Sequence, residues 1–207
     1  MTTIQLCVKQ FLQGTFELKE LNLFFVFQVN CPGCFMYGFP LANWIYLKYR
    51  DSGINVLGIA TAFEDFGYNS AENAQLLVRE KKTVGETKKA LGEYYSQAID
   101  FPIVVDYLAS KSELEYPENL NLLCEAITGF NKLSITEQDE IRQAVKIHLQ
   151  RTSQTSLTFS LNQLPGTPTF LLVDQNLQLL NGWFGYADEA KVVNLLSSYL
   201  APVNIVK

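Results

Sequence analysis

Apolar residues in this chain fall into short dense runs separated by stretches with helical spacing. The densest run, Leu21 to Val29, carries Phe24, Phe25, Val26, Phe27 and Val29, an aromatic and β-branched composition that predicts a strand covered on both faces. At about nine residues it is too short to span a bilayer. From Phe35 to Tyr49 the residues Leu41, Trp44, Ile45, Leu47 and Tyr49 recur at helical intervals, with a kink expected at Pro40 and a stop at Asp51-Ser52-Gly53. Ile54 to Ala60 is again dense and β-like. Strand, helix and strand together predict a βαβ unit with parallel strands and a right-handed crossover.

Around this unit the pattern is looser. Residues 4–21 alternate weakly and predict a short strand or turn. Thr61 to Asn69 reads as a loop, Ser70 to Lys82 and Thr83 to Ala98 as helices, and Phe101 to Val105 as a third strand. Thr83-Val84-Gly85-Glu86 has the form of a capping box and marks the break between those helices. From Tyr107 to about Gln163 two more helices are expected, near Glu118 to Phe130 and Thr136 to Gln150. The second is announced by Ser134-Ile135-Thr136-Glu137, also of capping-box form, and bears one apolar stripe, Ile141, Val145 and Leu149. The C-terminal pattern predicts a strand to Asp174, a turn at Asp174-Gln175-Asn176, a returning strand over Leu177 to Leu180, a bend from Gly182 to Gly185 and a helix over Asp188 to Leu200. That helix turns Val192, Val193, Leu195 and Leu196 inward.

The 207 residues suit one α/β domain, 1–207, with an α-helical insertion at about 107–160. Net charge is −5, and the longest basic runs are the pairs Lys81-Lys82 and Lys88-Lys89, which argues against a nucleic-acid groove or an anionic membrane surface as partner. The opening MTTIQLCVKQFLQG lacks the basic start, apolar centre and cleavage site of a secretory signal. The expected compartment is therefore the cytoplasm, where stable disulfides are rare and a C-x-x-C is catalytic or metal-binding.

Such a pair, Cys31-Pro32-Gly33-Cys34, follows the densest strand. Asn30 or Cys31 can serve as helix N-cap, and Pro32 suits the first turn because its missing N–H had no intrahelical partner. Cys31 then sits among unpaired N–H groups at the positive end of the helix dipole, which favours thiolate. Cys34 lies one turn deeper on the same face, a sheltered resolving thiol beside an exposed attacking one. A zinc site is the ordinary alternative for C-x-x-C, but the only further ligands, Cys7, Cys124 and His148, are isolated in the sequence. Cys7 and Cys124 read as packing thiols and His148 as a surface or partly packed imidazole. Both cysteines of the pair would stand at the carboxyl end of a central strand, where open α/β sheets do their chemistry. Glu64, in the loop TAFEDFGYN at that same end, is a candidate acid/base group.

A second motif, Leu164-Pro165-Gly166-Thr167-Pro168-Thr169-Phe170, leads into the last strand pair. With this motif, Cys31-Pro32-Gly33-Cys34 and the βαβ unit in place, the chain resembles a thioredoxin-fold protein over nearly its whole length. The stretch VFQVNCPGCFMYGFP is similar to the redoxin and TlpA-like thiol-disulfide oxidoreductases, with Tyr37 at the place of their histidine. The resemblance implies a mixed β-sheet flanked by helices, a cis Pro168, and Thr167 offering main-chain hydrogen bonds to a substrate held near Pro32, Gly33 and Pro168. It also implies exchange in which Cys31 attacks a disulfide and Cys34 resolves the mixed disulfide. The partners would be disulfide-containing proteins or small thiol substrates, with an upstream dithiol reductant. The two thiols carry both electrons, so no metal, flavin or nucleotide cofactor is implied.

The chain departs from thioredoxin at three places. Phe25 stands where thioredoxin has a buried aspartate, Asn30 where it has tryptophan, and Pro-Gly replaces Gly-Pro between the cysteines. Two other functions compete with this reading. A peroxiredoxin places threonine three residues before its peroxidatic cysteine, whereas here Gln28 precedes Cys31 and Cys31 precedes Cys34. A redox-gated interaction module would use the helical segment to bind a partner and the cysteines as a latch.

Overall fold

A computed structural model describes residues 2–114, 116–127, 129–150 and 154–200, without the side chains at 148 and 150. The reading of the His148 imidazole therefore lies outside the described residues. A six-stranded mixed sheet forms the centre, made of β1 (Val8–Gln13), β2 (Leu21–Phe27), β3 (Ile54–Ala60), β4 (Ile103–Asp106), β7 (Thr169–Asp174) and β8 (Leu179–Phe184), in the order β1-β4-β3-β2-β7-β8. β2, β3 and β4 run parallel, while β1, β7 and β8 are antiparallel to their neighbours. β8 continues through Gly182 and Trp183, where a bend was expected, because Phe170 and Leu171 pair with them in register. β1 is broken by two register shifts against β4.

Every residue of β2 is buried, because helices cover one face of the sheet and chain crossings cover the other. Leu23, Phe25, Phe27 and Val29 join one core cluster with Phe39, Ile45, Phe101, Val192 and Leu196, while Phe24 and Val26 join Ile59, Val104 and Leu171 on the opposite face. The period-two split is what a strand's alternating side chains require. The first face carries α1 (Phe39–Tyr49) and α8 (Glu189–Leu200), and α2 (Ala71–Glu80) contributes Ala74 and Leu77 to the same cluster. Aromatic rings fill much of that layer: Phe25 stacks on Phe170 at 4.9 Å and meets Phe39 edge-on at 5.0 Å.

The expected helix over Thr83 to Ala98 shrinks to α3 (Gly85–Leu91). Thr83 does not cap it, since its hydroxyl donates to the Gly92 carbonyl, and Asn30 Oδ1 instead accepts from the Glu86 N–H at 2.6 Å. Gly85 adopts φ +51°, and a Cβ there would come 2.2 Å from Asn30 Oδ1, so the position needs glycine both for its left-handed backbone and for room.

Between β4 and β7 the chain builds β5 (Leu108–Ser110), α4 (Lys111–Leu114), α5 (Pro117–Glu125), α6 (Ile135–Gln150), β6 (Gln154–Ser156) and α7 (Leu157–Leu161). The antiparallel β5–β6 pair was not expected from the sequence, because strands of three residues are too short to show a period. The segment has its own small core of Ala109, Leu114, Leu120, Cys124, Phe130 and Leu149, with Ile141 and Val145 at its margin. At α6 the capping box is real: Glu137 Oε2 accepts from the Ser134 N–H and hydroxyl. Among the described residues no helix is long and apolar enough to cross a membrane.

Candidate active site

β2 ends at Phe27, and a turn through Val29 and Asn30 starts a helix at Pro32. Cys31 is itself the N-cap, because its Sγ accepts from the Cys34 N–H at 3.2 Å while its carbonyl accepts from the same group at 2.9 Å. Pro32 opens the first turn, where no N–H is needed. The helix then passes through a π-helical turn, Cys34–Gly38, in which the Phe39 N–H reaches back to the Cys34 carbonyl. Pro40 explains the irregularity: it has no N–H to offer the Phe35 carbonyl. The Tyr95 hydroxyl donates to that buried oxygen at 3.1 Å. Burial raises the Tyr95 pKa, which keeps the hydroxyl protonated as a donor.

The cysteines are free thiols of unequal exposure: Cys31 is half-buried and Cys34 fully buried. The Cys31 thiol donates to the Thr167 carbonyl at 3.5 Å, across a cis Thr167–Pro168 peptide that closes the site from the β7 side. The Cys34 thiol holds Cys31 down from the ordinary 9.0 to about 7, helped by the Thr167 side chain and the N–H groups of Cys34 and Gly33 and opposed by burial. Burial pushes Cys34 well above its ordinary value, and the neighbouring Cys31 sulfur adds to the rise. One sulfur is thus a nucleophile near neutrality and the other is held protonated.

Pro32 and Gly33 are half-exposed beside Cys31, and a Cβ at Gly33 would lie 3.8 Å from Pro168, so these residues and Thr167 share one rim. Next to it an apolar groove of about 410 Å³ is lined by Met36, Tyr37, Leu41, Trp44 and Tyr186. Glu64 meets the site through its main chain: its carbonyl accepts from Gln28 Nε2 and Asn69 Nδ2. Its carboxylate is exposed and makes no hydrogen bond to either cysteine. Among the described residues no group of three or more His, Cys, Asp or Glu side chains is placed to hold a metal ion.

No protein-family model matches the chain, and no curated protein does. Solved structures do. A thiol-disulfide isomerase from Corynebacterium glutamicum superposes with a TM-score of 0.62 at 19% identity, over 98% of this chain and 97% of that one. A thioredoxin-like superfamily protein superposes with a TM-score of 0.61 at 18% identity, over 98% and 99%. The chain has the thioredoxin-like fold.

Within this thioredoxin-like fold the departures acquire structural reasons. Phe25, at the place of the buried aspartate, is fully buried among Phe27, Phe39, Phe101 and Phe170, so no carboxylate underlies Cys34 from that position. Asn30, at the place of the tryptophan and next to Cys31, binds both the loop after β3 and the first turn of α3. Its N–H donates to Asn69 Oδ1 at 2.8 Å, its Nδ2 to Asp65 Oδ2 at 2.9 Å, and its Oδ1 accepts from Glu86. Sequence reasoning missed Gln28 and Asn30 as parts of the site, because their partners lie 35 to 139 residues away along the chain. The only available signal was a pair of amide side chains flanking a buried strand's end.

Proposed function

We propose that the protein is a thiol-disulfide oxidoreductase that reduces protein disulfides or small disulfides through Cys31 and Cys34. One observation carries this reading: a cysteine at a helix start, held near neutral pKa, whose sulfur accepts from the main-chain N–H of a second, fully buried cysteine. The Cys31 thiolate attacks one sulfur of the substrate disulfide, forming a mixed disulfide and releasing the other sulfur as a thiol. Cys34 then loses its proton and attacks Cys31 Sγ, freeing the second substrate thiol and leaving a Cys31–Cys34 disulfide. An upstream dithiol returns the two electrons. Thr167, Pro168, Pro32 and Gly33 form the rim against which the substrate chain lies, and the adjoining apolar groove suits its apolar side chains. A cytoplasmic setting, where dithiols are kept reduced, would make reduction the natural direction of the exchange.

The deciding measurement is the reduction potential of the pair, by equilibration in dithiol buffers and mass counting of alkylated thiols. A value near about −270 mV supports the reductase, whereas one between roughly −180 and −120 mV overturns the reducing direction. Cys31→Ser is expected to abolish exchange. Cys34→Ser is expected to accumulate the mixed disulfide, and a Cys34→Ser protein that turns over at the wild-type rate would remove Cys34 from the mechanism.

A further inference from the structure

Gln28 is the residue between β2 and the turn that delivers Cys31, and only 2% of its surface is exposed. A buried amide needs partners at both ends. Its Nε2 donates to the Glu64 carbonyl at 3.5 Å, and its Oε1 accepts from the Thr167 hydroxyl at 3.2 Å. A carbonyl can only accept, so Glu64 fixes which way the amide faces and leaves its oxygen toward Thr167. Thr167 also lies against the thiols: its carbonyl accepts from Cys31 Sγ at 3.5 Å, and its side chain favours the charged form of both sulfurs, as the Gln28 main chain does for Cys34. A hydroxyl has one proton to donate. While Thr167 gives it to Gln28, its oxygen can only accept from a thiol. Turned the other way, the same proton stabilises a thiolate.

We propose that Gln28 is a positioning residue for disulfide exchange: it holds the Thr167 hydroxyl hydrogen off the cysteines in the dithiol and yields it to the sulfur that becomes a thiolate. The proposal rests on the oxidoreductase reading. No proton leaves Thr167; the hydroxyl turns about its Cβ–Oγ1 bond and one hydrogen bond replaces another. Few other ionisable groups face this cluster. The helix start contributes the two thiols. The loop after β3 contributes the Glu64 main chain, with its carboxylate exposed, and Asp65, whose carboxylate is held by Asn30 Nδ2. The stretch ahead of β7, Leu164 to Pro168, contributes no ionisable side chain.

The test follows the rate of Cys31 alkylation by iodoacetamide against pH in the full-length reduced protein, for wild type, Gln28→Leu, Thr167→Val and the double variant. Gln28→Leu leaves the hydroxyl free to stay on sulfur, so the midpoint falls by about half a unit, roughly threefold more thiolate at pH 6. Thr167→Val raises the midpoint, and in that background Gln28→Leu has no further effect. If Gln28→Leu does not fold, Gln28→Met, nearer the native shape, takes its place. A Gln28 effect of equal size with and without the hydroxyl overturns the proposal, as does no effect at all. Wild-type exchange with a small model disulfide is assayed alongside. Its absence overturns the oxidoreductase reading, while the four-way comparison still decides whether Gln28 governs the Thr167 hydroxyl.

Discussion

Gly38 shows how closely the active-site helix is seated on the sheet. Its φ of −68° suits any residue, but a Cβ there would come 2.6 Å from the Phe25 ring. Gly38→Ala therefore overpacks the contact between the π-helical turn and β2. A loss of about 1–3 kcal/mol is expected, read as a lower urea midpoint at unchanged slope. The same close approach helps bury Cys34 and hence separates the two thiols in acidity. At this scale the sequence was informative wherever chemistry and spacing were local. Cys31, Pro32 and Cys34 predicted an attacking thiol at a helix start, and the structure puts Cys31 just before that start with Cys34 buried behind it. Glu64 had the right residue type in the right loop, yet it is the main chain of that residue that touches the site.

At the scale of elements, the π-helical turn depends on a donor from far along the chain. Tyr95→Phe removes the Tyr95 hydroxyl that donates to the buried Phe35 carbonyl, an expected cost of about 1–3 kcal/mol by chemical denaturation. A similar remote contact holds α7 against β4. The buried Asp106 carboxylate accepts from the N–H groups of Thr158 and Phe159 and from the Thr61 hydroxyl. Burial raises its carboxyl to about 6 from 3.8, against the opposing pull of those donors. Because the folded state holds this proton more tightly than the unfolded one, the contribution is full below about pH 4 and is lost as pH rises through 6. Unfolding free energies measured across that window should show wild type losing about 1–3 kcal/mol relative to Asp106→Asn, whose side chain does not titrate. Elements with strong local patterns, β2, β3, α6 and α8, were legible from the sequence. The helix at Thr83 was misjudged because a side-chain pattern cannot reveal that Gly85 takes a left-handed backbone and that the cap comes from Asn30.

Across the whole molecule, the loop Thr61 to Asn69 joins the Cys31 end of the sheet to the segment between β4 and β7. Gln28 and Asn30 hold its inner side. Its outer side is fixed by Ala62, which exchanges hydrogen bonds with Ser156, and by Phe63, which stacks on Phe159 at 4.1 Å. A double-mutant cycle on Phe63→Ala and Phe159→Ala should show a coupling of about 0.5–1.5 kcal/mol. Both single variants should also speed amide hydrogen exchange at Glu64 to Asn69. Additive costs with unchanged exchange would mean that the two regions are merely adjacent. None of this joinery was readable in advance: the sequence predicted helices for residues 107–160, but the contacts that fasten them depend on which side chains meet after folding. The sheet order has a further consequence. It leaves two outer strands, β1 and β8, of which β1 is interrupted by two register shifts and carries Lys9. An outer strand so bent and charged is a poor template for another chain's backbone. For a protein that meets disulfide-bearing chains, as proposed above, β1 therefore offers those chains no straight edge to extend.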